Sequence, residues 1–184
     1  MARQSDTRAR IQAVARELFA SQGVRDTSLR QISERLGITK PALYYHFASR
    51  EDLVRSIVQP MVDDLERFVA ARERTPEHDA AGRRRLLEDY FELMWRHRDV
   101  TVMVVRDLST LAELNLAERM FDWRRRLIVL LLGPEVSATQ HIRATVALGG
   151  MSDCTVEYAH LPLEQVKGAA VEAAAAALGP GTPS

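Results

Sequence analysis

Lys40, Tyr44, Tyr45 and His46 lie within one short stretch of the chain, with Arg30 before it and Arg50 just after it. Ammonium, phenol, imidazole and guanidinium groups share one chemistry: they donate hydrogen bonds, and several carry positive charge. Lysine and arginine can donate to guanine O6 and N7 or to a phosphate, and the Ala42 methyl can touch a thymine methyl. The chemistry this cluster could do is therefore recognition of a polyanion with readable edges, which is DNA.

Donors of this kind read a groove only from a rigid scaffold, at the exposed N-terminal end of a helix, with phosphate anchors on either side. The neighbouring residues predict that scaffold. Ser28-x-x-Gln31 is a capping box, opening a helix that runs to Arg35 and stops at Gly37. Thr39 caps the next helix, and Pro41 is tolerable there because first-turn amides have no intrahelical partner. Lys40 and Ala42 fall on its first turn, and Ile32, Leu36, Ile38, Leu43 and Phe47 pack the pair together. Two adjacent tyrosines cannot both face one core, which argues against a plain helical hairpin.

Helical periodicity continues on both sides. Ile11, Val14, Leu18 and Phe19 mark a first helix ending at Gly23, and Ser49-x-x-Asp52 opens a fourth reaching about Arg74. Pro60 inside the fourth helix removes the bond from its own nitrogen to the Ser56 carbonyl, so a kink or a weak point is predicted there. Residues 75–78 read as a loop, followed by a helix with Leu86, Leu87, Tyr90, Phe91 and Met94 on one face. Val100 to Val105 has the β-branched content of a buried strand, but no other strand exists to pair with it, so it is read as helix. Asn115-x-x-Glu118 is expected to cap a further helix burying Leu116, Met120, Trp123, Leu127 and Leu131, ended by Gly133-Pro134. Ser137-x-x-Gln140 opens the next, to about His160, and Pro162 begins a last helix ending at Leu178-Gly179.

The 184 residues have zero net charge, but residues 1–50 carry nine Arg/Lys against four Asp/Glu. A basic end on a neutral chain suits a polyanion met by that end only. Cys154 is the single cysteine, excluding an intrachain disulfide and a thiolate zinc site. The first residues lack the apolar stretch of a secretory signal, and the longest aliphatic run, Leu127 to Leu132, is too short to span a bilayer. A cytoplasmic protein with no membrane partner is expected.

Enzyme classes find little support. There is no phosphate-cradling glycine loop, and Gly150-Met151-Ser152-Asp153 lacks the second glycine of a nucleophile elbow. Glu157-x-x-His160 is one half of a di-iron carboxylate signature without its second copy or bridging glutamates. The five histidines form no ligand-spaced pair, so neither a metal nor a cofactor is expected. The triplets Arg83 to Arg85 and Arg124 to Arg126 point around their helices and read as solvated faces.

Over residues 8–54 the chain resembles the TetR family of transcriptional regulators. The resemblance is carried by the apolar first helix ending at Gly23, the turn at Thr27-Ser28, Leu36-Gly37-Ile38, and above all Leu43-Tyr44-Tyr45-His46-Phe47 followed by Arg50 and Leu53. It implies an all-α protein of about nine helices, with a three-helix helix-turn-helix DNA-binding domain over 1–50. A C-terminal effector-binding and dimerisation domain over 51–179 and a disordered tail over 180–184 complete the expected organisation. Carried onto this chain, Ser28, Tyr44 and Arg50 would anchor phosphates. Arg30, Lys40, Pro41, Ala42 and Tyr45 would face bases, with His46 near the backbone and Thr39 at the helix start. Arg50 stands where lysine is usual, and Pro41-Ala42 where family members often have Gly or Ser.

Function is expected to be sequence-specific repression by a homodimer on a pseudo-palindromic double-stranded operator, relieved by a small, largely apolar effector. The alternative is the same fold acting on DNA without a small ligand, under a protein partner or architecturally. Ile142, Val146, Gly149, Val156, Val166, Ala170, Ala173, Ala174 and Ala177 would supply the dimer interface, since small residues on paired helices allow close approach. Tyr90, Met94, His97, Met103, Arg106, Trp123, Thr145, Cys154 and Tyr158 could line a mostly apolar cavity with a few polar groups. Arg106 is the candidate for an anionic ligand group. Pro60 is a candidate pivot between head and core.

Overall fold

The computed structural model describes residues 2–77, 79–106 and 115–179, and those residues form nine α-helices with no strand among them. In chain order these are α1 (Ala2–Gln22), α2 (Leu29–Leu36), α3 (Lys40–His46), α4 (Arg50–Arg74), α5 (Ala80–Arg96), α6 (Arg98–Arg106), α7 (Leu116–Leu132), α8 (Ala138–Glu157) and α9 (Leu163–Leu178). The expected tail over 180–184 lies outside the described residues.

The helix ends follow local chemistry. Ser28 and Ser137 each complete a capping box with the glutamine three residues on, and Thr39 and Asp79 cap α3 and α5 through their side-chain oxygens. Gly37 takes the left-handed conformation (φ 66°) that lets its N–H return to the Ser33 and Glu34 carbonyls. The β-branched run 100–105 is helical, as α6. Two expectations fail. Asn115 has a φ of 52°, left-handed where a capping residue is extended, so it precedes α7 without the cap geometry. Met120 is 42% exposed because the buried stripe of α7 runs through Leu116, Trp123, Leu127 and Leu131 without it.

The chain divides into two compact units: residues up to Val62 with 99–115, and residues 63–98 with those from Leu116 onward. In the first unit Ile11, Ala15 and Phe19 of α1 are buried, as are Ile32 of α2, Leu43 of α3, and Leu53, Val54, Ile57 and Val58 of α4. Met103 and Val104 of α6 are buried too, and Thr101 Oγ1 lies 3.8 Å from Met61 Sδ. α4 runs unbroken through Pro60. The Ser56 carbonyl, which loses its helical donor to that proline, accepts from Gln12 Nε2 of α1 at 3.3 Å, and the same amide reaches Ser56 Oγ at 2.9 Å.

In the second unit α9 packs on α8 and α5, and α8 also meets α7. Leu86, Leu87, Phe91, Leu127, Ile128, Leu131, Leu148, Met151 and Val171 fill its core, with Phe91 stacked on Trp95 at 5.7 Å. An ion-pair network ties α7 to α4: Arg126 is bidentate on Glu73 at 2.8 Å and also reaches Glu66, which accepts the Trp123 indole N–H at 2.8 Å. Among the described residues no helix is long and apolar enough to cross a membrane.

Candidate nucleic-acid interface

The candidate surface is assembled from three segments. Residues 23–28 turn the chain from α1 into α2, and the Thr27 side chain, fully buried, donates to the Gly23 carbonyl at 2.7 Å. Gln22 Nε2 donates to Thr27 Oγ1 and to the Asp26 carbonyl. Ser33, buried on α2, donates to the Arg30 carbonyl at 2.8 Å. The second segment is α3, anchored by the fully buried Leu43 and Phe47, so its opposite face must look outward. The third is the start of α4, where Ser49 Oγ accepts from the Asp52 N–H at 3.1 Å.

On this frame Ser28, Arg30, Thr39, Lys40, Pro41 and Ala42 are all exposed, Tyr44 is 43% exposed and Tyr45 75% exposed. Tyr45 is the most outward aromatic of the head, and it meets the His46 ring edge-on at 5.4 Å. Lys40 Nζ sits 5.6 Å from the Tyr44 ring centroid, a cation–π contact along one side of α3. Arg30 donates to Glu34 at 2.7 Å along α2, so an incoming phosphate or guanine would compete with that carboxylate. The same pair holds the Arg30 guanidinium pKa above its ordinary value. Ser28, Arg30, Lys40, Tyr44 and Arg50 border one concavity of about 450 Å³, while Thr39, Pro41, Ala42, Tyr45 and His46 lie off it.

Three residues, Arg25, Arg8 and Gln22, escape the sequence reading, and Ser49 is read there only as a helix cap. Arg25 and Ser49 border that concavity. Arg8 of α1 donates to the His46 carbonyl at 2.9 Å and lies over the Phe47 ring at 4.3 Å, pinning the end of α3. Gln22 fixes the turn as described. Arg8 and His46 are 38 positions apart, and nothing in local spacing announces such a bond.

The candidate ligand residues are placed as follows. Tyr90 is buried with its hydroxyl 3.2 Å from Ser152 Oγ, and desolvation pushes its phenol pKa up. Met94 is buried on α5, and His97 Nε2 lies 2.8 Å from the Asp64 carboxylate. Trp123 donates to Glu66, and the Thr145 hydroxyl to the His141 carbonyl at 2.9 Å. Cys154 is half-buried, its thiol pKa raised by desolvation and by Asp153, and Tyr158 is 44% exposed. Met103 belongs to the first unit and the others to the second, apart from Arg106, whose side chain lies outside the described residues. Two concavities of the second unit, of about 220 and 290 Å³, are lined by none of these residues.

Of the proposed interface set, Ile142 and Val146 are 63% and 62% exposed, Ala173 is exposed, and Gly149, Val156 and Ala177 are half-buried. Val166, Ala170 and Ala174 are largely buried within the protomer, where α9 packs on α5 and α8.

A helix-turn-helix whose second helix turns its polar face outward, within an all-α chain, defines a class of protein with a reading head. Comparison with known proteins gives the family. Residues 11–57 match the profile of the bacterial regulatory proteins of the tetR family. The transcriptional regulator UidR of Escherichia coli is 30% identical over 137 residues, covering 65% of this chain and 67% of UidR. The chain belongs to the TetR family. TtgR of Pseudomonas putida, also a transcriptional regulator, is 33% identical over 91 residues, a match to 48% of this chain that spans only 43% of TtgR. Among solved structures, a transcriptional regulator from Aquifex aeolicus shares the fold at a TM-score of 0.71 and 24% identity, over 90% of this chain and 96% of its own. The ketosteroid transcriptional regulator of Mycobacterium tuberculosis does so at 0.71 and 20%, over 94% and 93%.

Proposed function

We propose that this chain is a sequence-specific DNA-binding transcriptional regulator that represses as a homodimer on a pseudo-palindromic operator. The observation that carries the reading is the outward face of α3: Lys40, Ala42, Tyr44 and Tyr45 are exposed beside Ser28 and Arg30, on a helix anchored from behind by Leu43 and Phe47. The matched relatives named as transcriptional regulators support it. A single head makes few contacts, whereas a dimer reads two half-sites about 34–36 Å apart. The exposed Ile142 and Val146 supply an apolar strip for that pairing. The head domain is assigned to residues 1–50 and effector binding and dimerisation to 51–179, with a small apolar effector shifting the population of operator-competent dimers.

A second reading has its own support. Tyr90, His97, Trp123 and Thr145 each make a side-chain hydrogen bond within the protein. That arrangement favours the same DNA-binding role without a small ligand. A thermal-shift screen against pocket-sized compounds separates the two.

Fluorescence anisotropy on the intergenic DNA upstream of the chain's own reading frame, against a scrambled duplex and across a salt series, tests the proposal. Selective binding that survives moderate salt is expected, since base contacts add to the salt-sensitive phosphate term. Equal, steeply salt-sensitive binding to both duplexes would remove autoregulated, sequence-specific binding there.

A further inference from the structure

The turn between α1 and α2 has an unusual property: each of its four consecutive carbonyls, from Gly23 to Asp26, accepts a hydrogen bond. Thr27 serves Gly23 and Val24, and Gln22 serves Asp26. The remaining donor comes from outside the turn. Arg50 Nη1, at the start of α4, reaches the Arg25 carbonyl at 3.0 Å and the Val24 carbonyl at 3.4 Å, while Nη2 lies 3.5 Å from the Glu51 carboxylate.

We infer that Arg50 serves DNA recognition as a positioning residue, bridging the α1–α2 turn to the start of α4, rather than as a phosphate anchor. This rests on the DNA-binding reading above. The concavity of about 450 Å³ is lined by Ser28, Arg30, Lys40 and Tyr44 together with residues 48–51. Arg50 lies on this lining and bonds to the turn from which Ser28 and Arg30 begin. A planar guanidinium can offer separate N–H groups to the turn carbonyls and to Glu51 at once, which the point charge of a lysine ammonium cannot reproduce in the same geometry. The side chain is 32% exposed and its donors face carbonyls and Glu51, whereas the Arg30 side chain is 79% exposed. Arg50 therefore sets the spacing of groups that meet the DNA and leaves the meeting to them.

The two roles separate by charge and geometry. A duplex selected by the wild-type chain from random-sequence DNA is used to measure affinity across a salt series for wild type, Arg50→Lys and Arg50→Ala. Circular dichroism melting checks that each variant still unfolds cooperatively. Positioning predicts that Arg50→Lys, which keeps the charge, weakens binding about tenfold. It also predicts that the slope of log affinity on log salt is the same in all three proteins. In the DNA-free protein both variants should speed amide hydrogen exchange across residues 24–31. The inference is overturned if Arg50→Lys binds within about twofold of wild type while Arg50→Ala lowers the slope by about one, the mark of a lost phosphate contact. It is also overturned if exchange over residues 24–31 is unchanged in both variants, a result that needs no DNA. If the wild type selects no duplex, the DNA-binding reading fails, and the exchange measurement still decides whether the bridge exists.

Discussion

Three carboxylates of α4 illustrate how single residues hold the second unit. The Asp64 pKa is lowered chiefly by the hydrogen bond from His97, that of Glu66 by the Trp123 indole and Arg126, and that of Glu73 by Arg126. Each folded pKa lies below that group's own unfolded value. Such a group contributes stability above the ordinary carboxylate range and loses it as pH falls through the depressed folded value. Stability to urea is therefore expected to be flat with respect to these groups above about pH 5 and to decline below about pH 4. In Glu66→Gln and Asp64→Asn the acid decline should be shallower and the plateau lower, which a urea series at stepped pH reads directly. An acid limb as steep in both variants as in wild type would mean these hydrogen bonds do not carry it.

At the level of elements, the long fourth helix carries a built-in defect and its repair. Pro60 removes one helical donor, and Gln12 of α1 supplies another to the carbonyl left behind. Gln12→Ala should cost about 1–3 kcal/mol by leaving that carbonyl short of a partner. In a Pro60→Ala background the helix regains its own N–H at that position, so the cost of Gln12→Ala should fall, and a double-mutant cycle by chemical denaturation reports the coupling. Additive effects would show that the amide acts only through Ser56 Oγ. The same helix shows what sequence makes legible. The caps at Ser28, Thr39, Ser49 and Ser137 and the turn at Gly37 were readable because each joins residues at most a few positions apart. The bonds of Gln12 to Ser56 and Arg50 to Arg25 span 44 and 25 positions, and local pattern carries no trace of them. Met120 departs from the expected stripe for a related reason: helical spacing tells which residues share a face, and a wide face has edges where exposure begins.

For the whole molecule, the separation of charge and of apolar surface sets the expected behaviour. The net positive charge concentrates at one end of a neutral chain, so phosphate affinity should be local to the head and strongly salt-dependent. The apolar strip of Ile142 and Val146 lies on α8, one helical turn apart. Ile142→Glu with Val146→Glu should leave the helical content unchanged, shift light scattering from dimer to monomer at micromolar concentration, and weaken operator binding by a factor of ten or more, because one head then acts alone. A dimer that persists in the double variant would place the interface elsewhere. The helices and caps of residues 28–47 were the most legible part of this chain because capping residues and the turn glycine stand at fixed short offsets. The second unit was the least, because any amphipathic helix needs Tyr90, Met94 or Trp123 for its core whether or not a ligand ever meets them.

The turn before α2 separates two jobs that a binding protein often lets overlap. Gln22, Thr27 and Arg50 hold the backbone, whereas Lys40, Ala42 and Tyr45 stand on another element with their side chains outward. On the proposed function, what the head reads could be rewritten at the second group without disturbing how the head is built, and a change of target need not begin with a loss of structure.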